Sequence, residues 1–210
     1  LILVSNLSAS LSRKGEMEIG KLGKDLLVVR SGRVLRHGGS TRLLSEATTL
    51  TLADSRAIAE EAPFVLDVSP SSYKNFPVRY GGVVLASILV TGVAPNYPDL
   101  RNFHVKEGSF FTVEDDQTLK RVAVLGKKVA DKLFGDESPL GRNIMIWRVP
   151  CQVIGIMEEK GVDLSNVDQD NQVFVPLSTF LRRLVNQDYV STVFVQTVSD
   201  AVMSQAREQI

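Results

Sequence analysis

Residues 121–161, RVAVLGKKVADKLFGDESPLGRNIMIWRVPCQVIGIMEEKG, change hydrophobic period twice, which constrains the fold more than any other stretch. Val122, Ala123, Val124 and Leu125 form a short continuous apolar run, which reads as a strand. Val129, Ala130 and Leu133 then recur at helical spacing, with Phe134 beside them. Gly135 stands where a helix ends on a left-handed residue. Pro139 and Gly141 mark a turn, and Gly141 is expected at positive φ. Ile144, Ile146 and Val149 predict a strand over 144–149, and residues 151–157 predict another. Strand, short helix and two more strands in so little chain require a mixed α/β packing.

The remainder punctuates in the same way. Residues 24–30 predict the first strand, ended by Ser31 and Gly32, and residues 33–40, with Gly38 and Gly39, predict a loop. Thr51 and Asp54 are spaced as a capping box that opens a helix through Ala62, stopped by Pro63. Residues 64–68 predict a strand, 69–75 a turn cluster, and 77–79 and 82–91 strands, the last buried on both faces. A short helix is expected over 99–104. Residues 191–198 alternate, with Val193 and Val195 opposite Phe194, and Ser199 is placed to cap a last helix. Residues 1–23 read as a helical lead-in, with Leu3, Leu7 and Leu11 four apart.

The ordered series VAVLG, LFG, PLG, I-x-I and V-x-G resembles the extracytoplasmic core domain of MacB/FtsX-type ABC transporter permeases. Upstream, the strand ending at Val93, the segment Ala94-Pro95-Asn96-Tyr97-Pro98 and the run Glu107-Gly108-Ser109-Phe110-Phe111 extend it. Downstream, Asp170-Asn171-Gln172-Val173-Phe174-Val175-Pro176-Leu177 does so again. The resemblance covers roughly residues 20–200. It implies an α+β fold of two mixed α/β subdomains. Residues 24–98 and 190–210 would form a membrane-proximal, porter-like β-α-β unit. Residues 99–189 would form an inserted subdomain of the kind called Sabre, and residues 1–23 a juxtamembrane lead-in. The strand at 24–30 is then expected in a different sheet from those at 122–125 and 172–176. Both chain ends fall in segments that read as helical, as in a loop between two membrane helices.

Function follows from the same resemblance. It implies a non-catalytic domain on the periplasmic or extracellular side of a cell inner membrane protein. Such a domain transmits ATP-driven conformational change to substrate or an adaptor. Its partners would be a cytoplasmic ABC ATPase, a second permease subunit in a dimer, and a periplasmic adaptor. A ligand- or lipoprotein-binding domain of a LolC/LolE-like permease is the alternative. No cofactor is implied.

Composition excludes other classes. Twenty-four basic residues balance twenty-four acidic ones, and no basic stripe with interleaved aromatics suggests nucleic acid. Catalytic, cofactor and metal residues are expected to be none, after each candidate is weighed. Gly15 to Lys21 fits G-x-x-x-x-G-K, but Leu22 replaces the hydroxyl residue that a phosphate loop needs. His37 and His104 lie far apart and outside any metal spacing. Asp163, Asp168 and Asp170 are spaced somewhat like a calcium loop but lack its central glycine and distal glutamate. Cys151, the one cysteine, reads as a small buried hydrophobe. Trp147 and Arg148 lie on the predicted 144–149 strand, where Trp147 is expected in the core, with a contact surface as the alternative.

Overall fold

A computed structural model describes residues 2–6, 25–31, 33–37, 40–45, 48–162 and 167–210. In chain order the elements begin β1 (Ile2–Asn6), β2 (Leu26–Ser31), β3 (Arg33–His37), β4 (Ser40–Ser45), α1 (Leu52–Glu61), β5 (Val65–Tyr80) and β6 (Val83–Val93). Next come α2 (Tyr97–Leu100), β7 (Val105–Gly108), α3 (Val113–Gln117), β8 (Val122–Leu125), α4 (Lys127–Phe134), β9 (Asn143–Ile146) and β10 (Val149–Met157). The chain closes with β11 (Gln172–Pro176), α5 (Leu177–Thr179) running into a π-helical turn, β12 (Thr192–Thr197) and α6 (Met203–Gln209). Parallel and antiparallel pairs occur together, so the class is mixed α+β, as expected. The chain forms two compact units, residues 1–71 with 188–210, and residues 72–187.

In the first unit the strand order is β1, β2, β12 and the first part of β5. β12 pairs antiparallel with both β2 and β5. Directly opposed residues share a face, so Val29 with Val193 and Leu27 with Val195 build one apolar layer. All four are fully buried, each contributing about 1.5–3 kcal/mol of transfer free energy. Ahead of β5, the Thr51 hydroxyl accepts from the Asp54 amide and the Asp54 carboxylate accepts from the Thr51 amide. That reciprocal cap stabilises α1 by about 1 kcal/mol.

In the second unit the order is the latter part of β5, then β6, β11, β8, β10 and β7, with β9 paired to both β10 and β5. β11 runs parallel to β6, and β10 parallel to β8. Every residue of β8 and β11 is buried, which explains why neither alternates in sequence. α4 presents Val129, Ala130, Leu133 and Phe134 inward and stops at Gly135, φ +57. On the outer strand, Gly108 is paired with Gly155 at φ +79, and a Cβ there would overlap the Ile154 carbonyl oxygen. Only glycine fits both demands.

Several expectations are corrected. Residues 2–6 are a strand paired with β2 and not part of a helix; residues 7–24, with the rest of the expected lead-in, lie outside the described residues. Residues 33–37 and 40–45 pair as strands, where a loop was expected over 33–40; Gly38 and Gly39 lie outside the described residues. The turn cluster expected over 69–75 is the middle of β5, whose Val65-to-Ser71 part is held by β12 and whose Val78 and Arg79 are held by β9. That one strand also undoes the expected separation of sheets. Its neighbours lead from β2 through β12 on one side and to β11 and β8 on the other. By compactness the chain divides between residues 71 and 72, which puts β6 and α2 in the second unit. β6 is buried from Ile88 onward apart from half-buried Leu89, while Val83 and Val84 are exposed. α6 starts after a 3-10 turn at Asp200–Val202, so its N-cap position is Val202, which makes no side-chain cap, and not Ser199.

Candidate functional site

The acidic group flagged in the sequence sits where α4 meets the segment ahead of β11. The Gly126 amide donates to the Gln172 carbonyl (2.8 Å) and the Lys128 amide to the Asp170 carbonyl (3.1 Å). Lys128 Nζ lies 2.8 Å from Asp168 Oδ2 and 3.8 Å from Asp170 Oδ2. The Asp168 hydrogen bond is the main cause that raises the Lys128 pKa. Asp170 is buried, and its carboxylate accepts the backbone amides of Lys160 (2.8 Å) and Gly161 (3.1 Å). Lys160 Nζ in turn donates to the carbonyls of Arg101 (2.6 Å) and Asn102 (2.8 Å) and lies 4.9 Å from the Phe103 ring centre.

These contacts make a polar clasp that fixes a loop. Asp168 and Asp170 are engaged by lysine and backbone donors, and Asp163 lies outside the described residues. Among the described residues no group of three His, Cys, Asp or Glu is arranged to hold a metal ion. His104 is held elsewhere: its Nε2 is 3.3 Å from Asn102 Oδ1 and its Nδ1 is 3.8 Å from Asp99 Oδ1. Asp168 and His104 therefore have separate partners and form no acid–base pair. His37 is on β3. The segment 15–22 lies outside the described residues.

Cys151 is fully buried, and burial pushes its thiol up to about 12. A thiol that stays protonated at neutral pH is a packing group and not a nucleophile. It faces inward opposite Ile144 on β9.

Trp147 is not in the core. β9 ends at Ile146, which pairs with Val149, so Trp147 and Arg148 are the two turn residues of a hairpin. Trp147 has φ +54 and is 49 % exposed. Its amide donates to the Pro77 carbonyl at 2.8 Å. The Arg148 guanidinium carbon lies 5.1 Å from the indole centre. The sequence carried a signal for this turn. Inward residues are even-numbered at Ile144 and Ile146 but odd-numbered at Cys151 and Val153, so the alternation changes phase between them.

Among the described residues no helix is long and apolar enough to cross a membrane. A family profile described as the MacB-like periplasmic core domain matches residues 1–210. The chain is 38% identical over 177 residues to the macrolide export ATP-binding/permease protein MacB of Marinobacter nauticus, covering 84% of this chain and 27% of that protein. It is 39% identical over 141 residues to the pyoverdine export ATP-binding/permease protein PvdT of Pseudomonas aeruginosa, covering 66% of this chain and 21% of that protein. The chain thus spans about a quarter of the length of these curated relatives. Its fold is similar to the crystal structure of the periplasmic region of MacB from Actinobacillus actinomycetemcomitans, with a TM-score of 0.73 at 22% identity, over 90% of this chain and 82% of that one.

Proposed function

The chain belongs to the MacB-like periplasmic core domain family, and on that premise we propose that it relays movement of an ABC permease's membrane helices to the outer side of the membrane, without catalysing a reaction itself. The family match along residues 1–210 is the observation that carries this reading. ATP binding and hydrolysis belong to a cytoplasmic ATPase, fused or separate. A second permease subunit completes the dimer, and a periplasmic adaptor or the cargo receives the motion.

A relay needs bodies that move without deforming, because a soft domain dissipates displacement. The second unit supports that demand through the fully buried strands β8 and β11, the lysine clasp and the crowded Gly108 pairing. The two relatives named above carry different cargo in their names, so the cargo of this chain is not inferred from them.

Spin-label distances in the full-length permease test the proposal. Val84 and Val198 are exposed and lie in different units. Cysteines placed there accept label, while the buried, protonated Cys151 does not. We expect the distance between the two sites, or between equivalent Val84 sites of two protomers, to change when ATP is trapped. If neither distance responds to nucleotide, coupling is wrong, and cargo binding of the LolC/LolE kind takes its place.

A further inference from the structure

The chain passes from the first unit to the second between Ser71 and Ser72 and returns between Gln187 and Asp188. The two passages are tied to each other on both sides. In the first unit the Ser191 amide donates to the Ser71 carbonyl at 3.0 Å. In the second unit Gln187 Nε2 donates to Ser72 Oγ, also at 3.0 Å. The Gln187 amide donates to the Leu181 carbonyl at 3.0 Å, which fixes the return passage to the π-helical turn over Phe180–Val185. Asn186, just before it, has a left-handed backbone at φ +50.

Three observations mark the outgoing passage as a weak point of β5. Ser69-Pro70-Ser71-Ser72 is turn chemistry, held extended by the pairing of Ser69, Pro70 and Ser71 with β12. Pro70 has no N–H, so β5 lacks a ladder donor in its middle, although it has strands on both sides. Ser69 is fully buried, yet among the described residues its hydroxyl has no hydrogen-bond partner. A buried hydroxyl without a partner opposes the extended state that buries it.

We propose that residues 69–72 and 186–188 form the hinge of the relay, and that the hydrogen bond from Gln187 to Ser72 is the clip that limits its swing. The inference rests on the relay reading above. Hinges are a few residues, often at element ends, that absorb changes in φ and ψ. A serine-rich strand segment short of hydrogen bonds and a left-handed asparagine at a helix end are residues of that kind. Two neighbouring passages leave rotation about the line through both as the easy motion.

The full-length permease spin-labelled through Val84→Cys and Val198→Cys, one site in each unit, tests the hinge. The width of the distance distribution is read without nucleotide, so it holds or fails apart from the nucleotide response that tests the relay. Gln187→Ala and Ser72→Ala each remove the clip and should widen the distribution. Ser69→Ala removes the unpaired hydroxyl, favours the extended strand and should narrow it. Labels through Val84→Cys and Val113→Cys, both exposed and both in the second unit, should keep their width in all three variants. An unchanged width between the units in both clip variants would overturn the proposal. So would a clip variant that widens the Val84–Val113 pair, because the unit itself would then have loosened, or a Ser69→Ala variant as wide as the parent or wider.

Discussion

The clasp around Asp170 and the turn at Trp147 belong to the same unit and treat charge in opposite ways. At the clasp every charge named has a partner: Lys128 meets Asp168 and Asp170, and Lys160 caps two carbonyls. At the turn Arg148 and the indole face solvent on a backbone that is strained and tied down. A satisfied polar network fixes a loop and leaves little for a ligand to gain. The acidic group of Asp168 and Asp170 therefore fixes a loop, while Trp147 stays half in water.

The sharpest way to break this contrast is Asp170→Ala. It strands the Lys160 and Gly161 amides beside a lysine that has lost part of its counter-charge. We expect a loss of about 3 kcal/mol, read as a lowered urea midpoint. A midpoint within error of the parent would mean the clasp is decorative.

Gly141→Val comes next. Gly141 has φ +76, as its place after Pro139 predicted, yet nothing stands within 4 Å of the Cβ it lacks. Backbone strain alone should cost about 1–2 kcal/mol. Gly108→Val should cost more, because the Ile154 carbonyl also blocks it. If the two variants melt together, crowding at Gly108 is relieved by movement of the β7 edge.

Asp115 extends the clasp side of the contrast. Its carboxylate lies 2.5 Å from Lys120 Nζ and accepts the Thr112 amide at 2.9 Å, contacts that lower its pKa, the lysine first. A depressed carboxylate stabilises the fold above its unfolded pKa of about 3.9 and loses that contribution as pH falls through the folded value. Asp115→Asn should therefore be less stable than the parent at pH 7, with the gap closing below about pH 4. Urea midpoints at the two pH values measure it, and a gap that widens in acid reverses the sign of the argument.

The smallest effect is expected at the turn. Trp147→Asn, a residue that tolerates left-handed backbone, should leave the thermal midpoint unchanged to within about 0.5 kcal/mol. A large loss would make the indole part of the fold and remove the contrast.

Periodicity, caps and glycine placement were legible without coordinates. The Thr51–Asp54 box, the helix with Val129, Ala130 and Leu133 ended by Gly135, and the apolar strand at Val122 all depend on neighbours a few residues away. Resemblance in motif order added the family. What the tertiary structure decided lies in the long-range pairing. Ser69-Pro70-Ser71-Ser72 is turn chemistry locally, yet β12 pairs with β5 through Ser71 and draws those residues into one sixteen-residue strand. β6 falls in the same compact unit as the strands it pairs with, β11 among them. Trp147 reads as core by residue type and becomes surface because Ile146 and Val149 close a hairpin around it. The acidic residues have no visible partners in sequence, since Lys128 and Asp168 are forty positions apart and only folding brings a charge to its counter-charge.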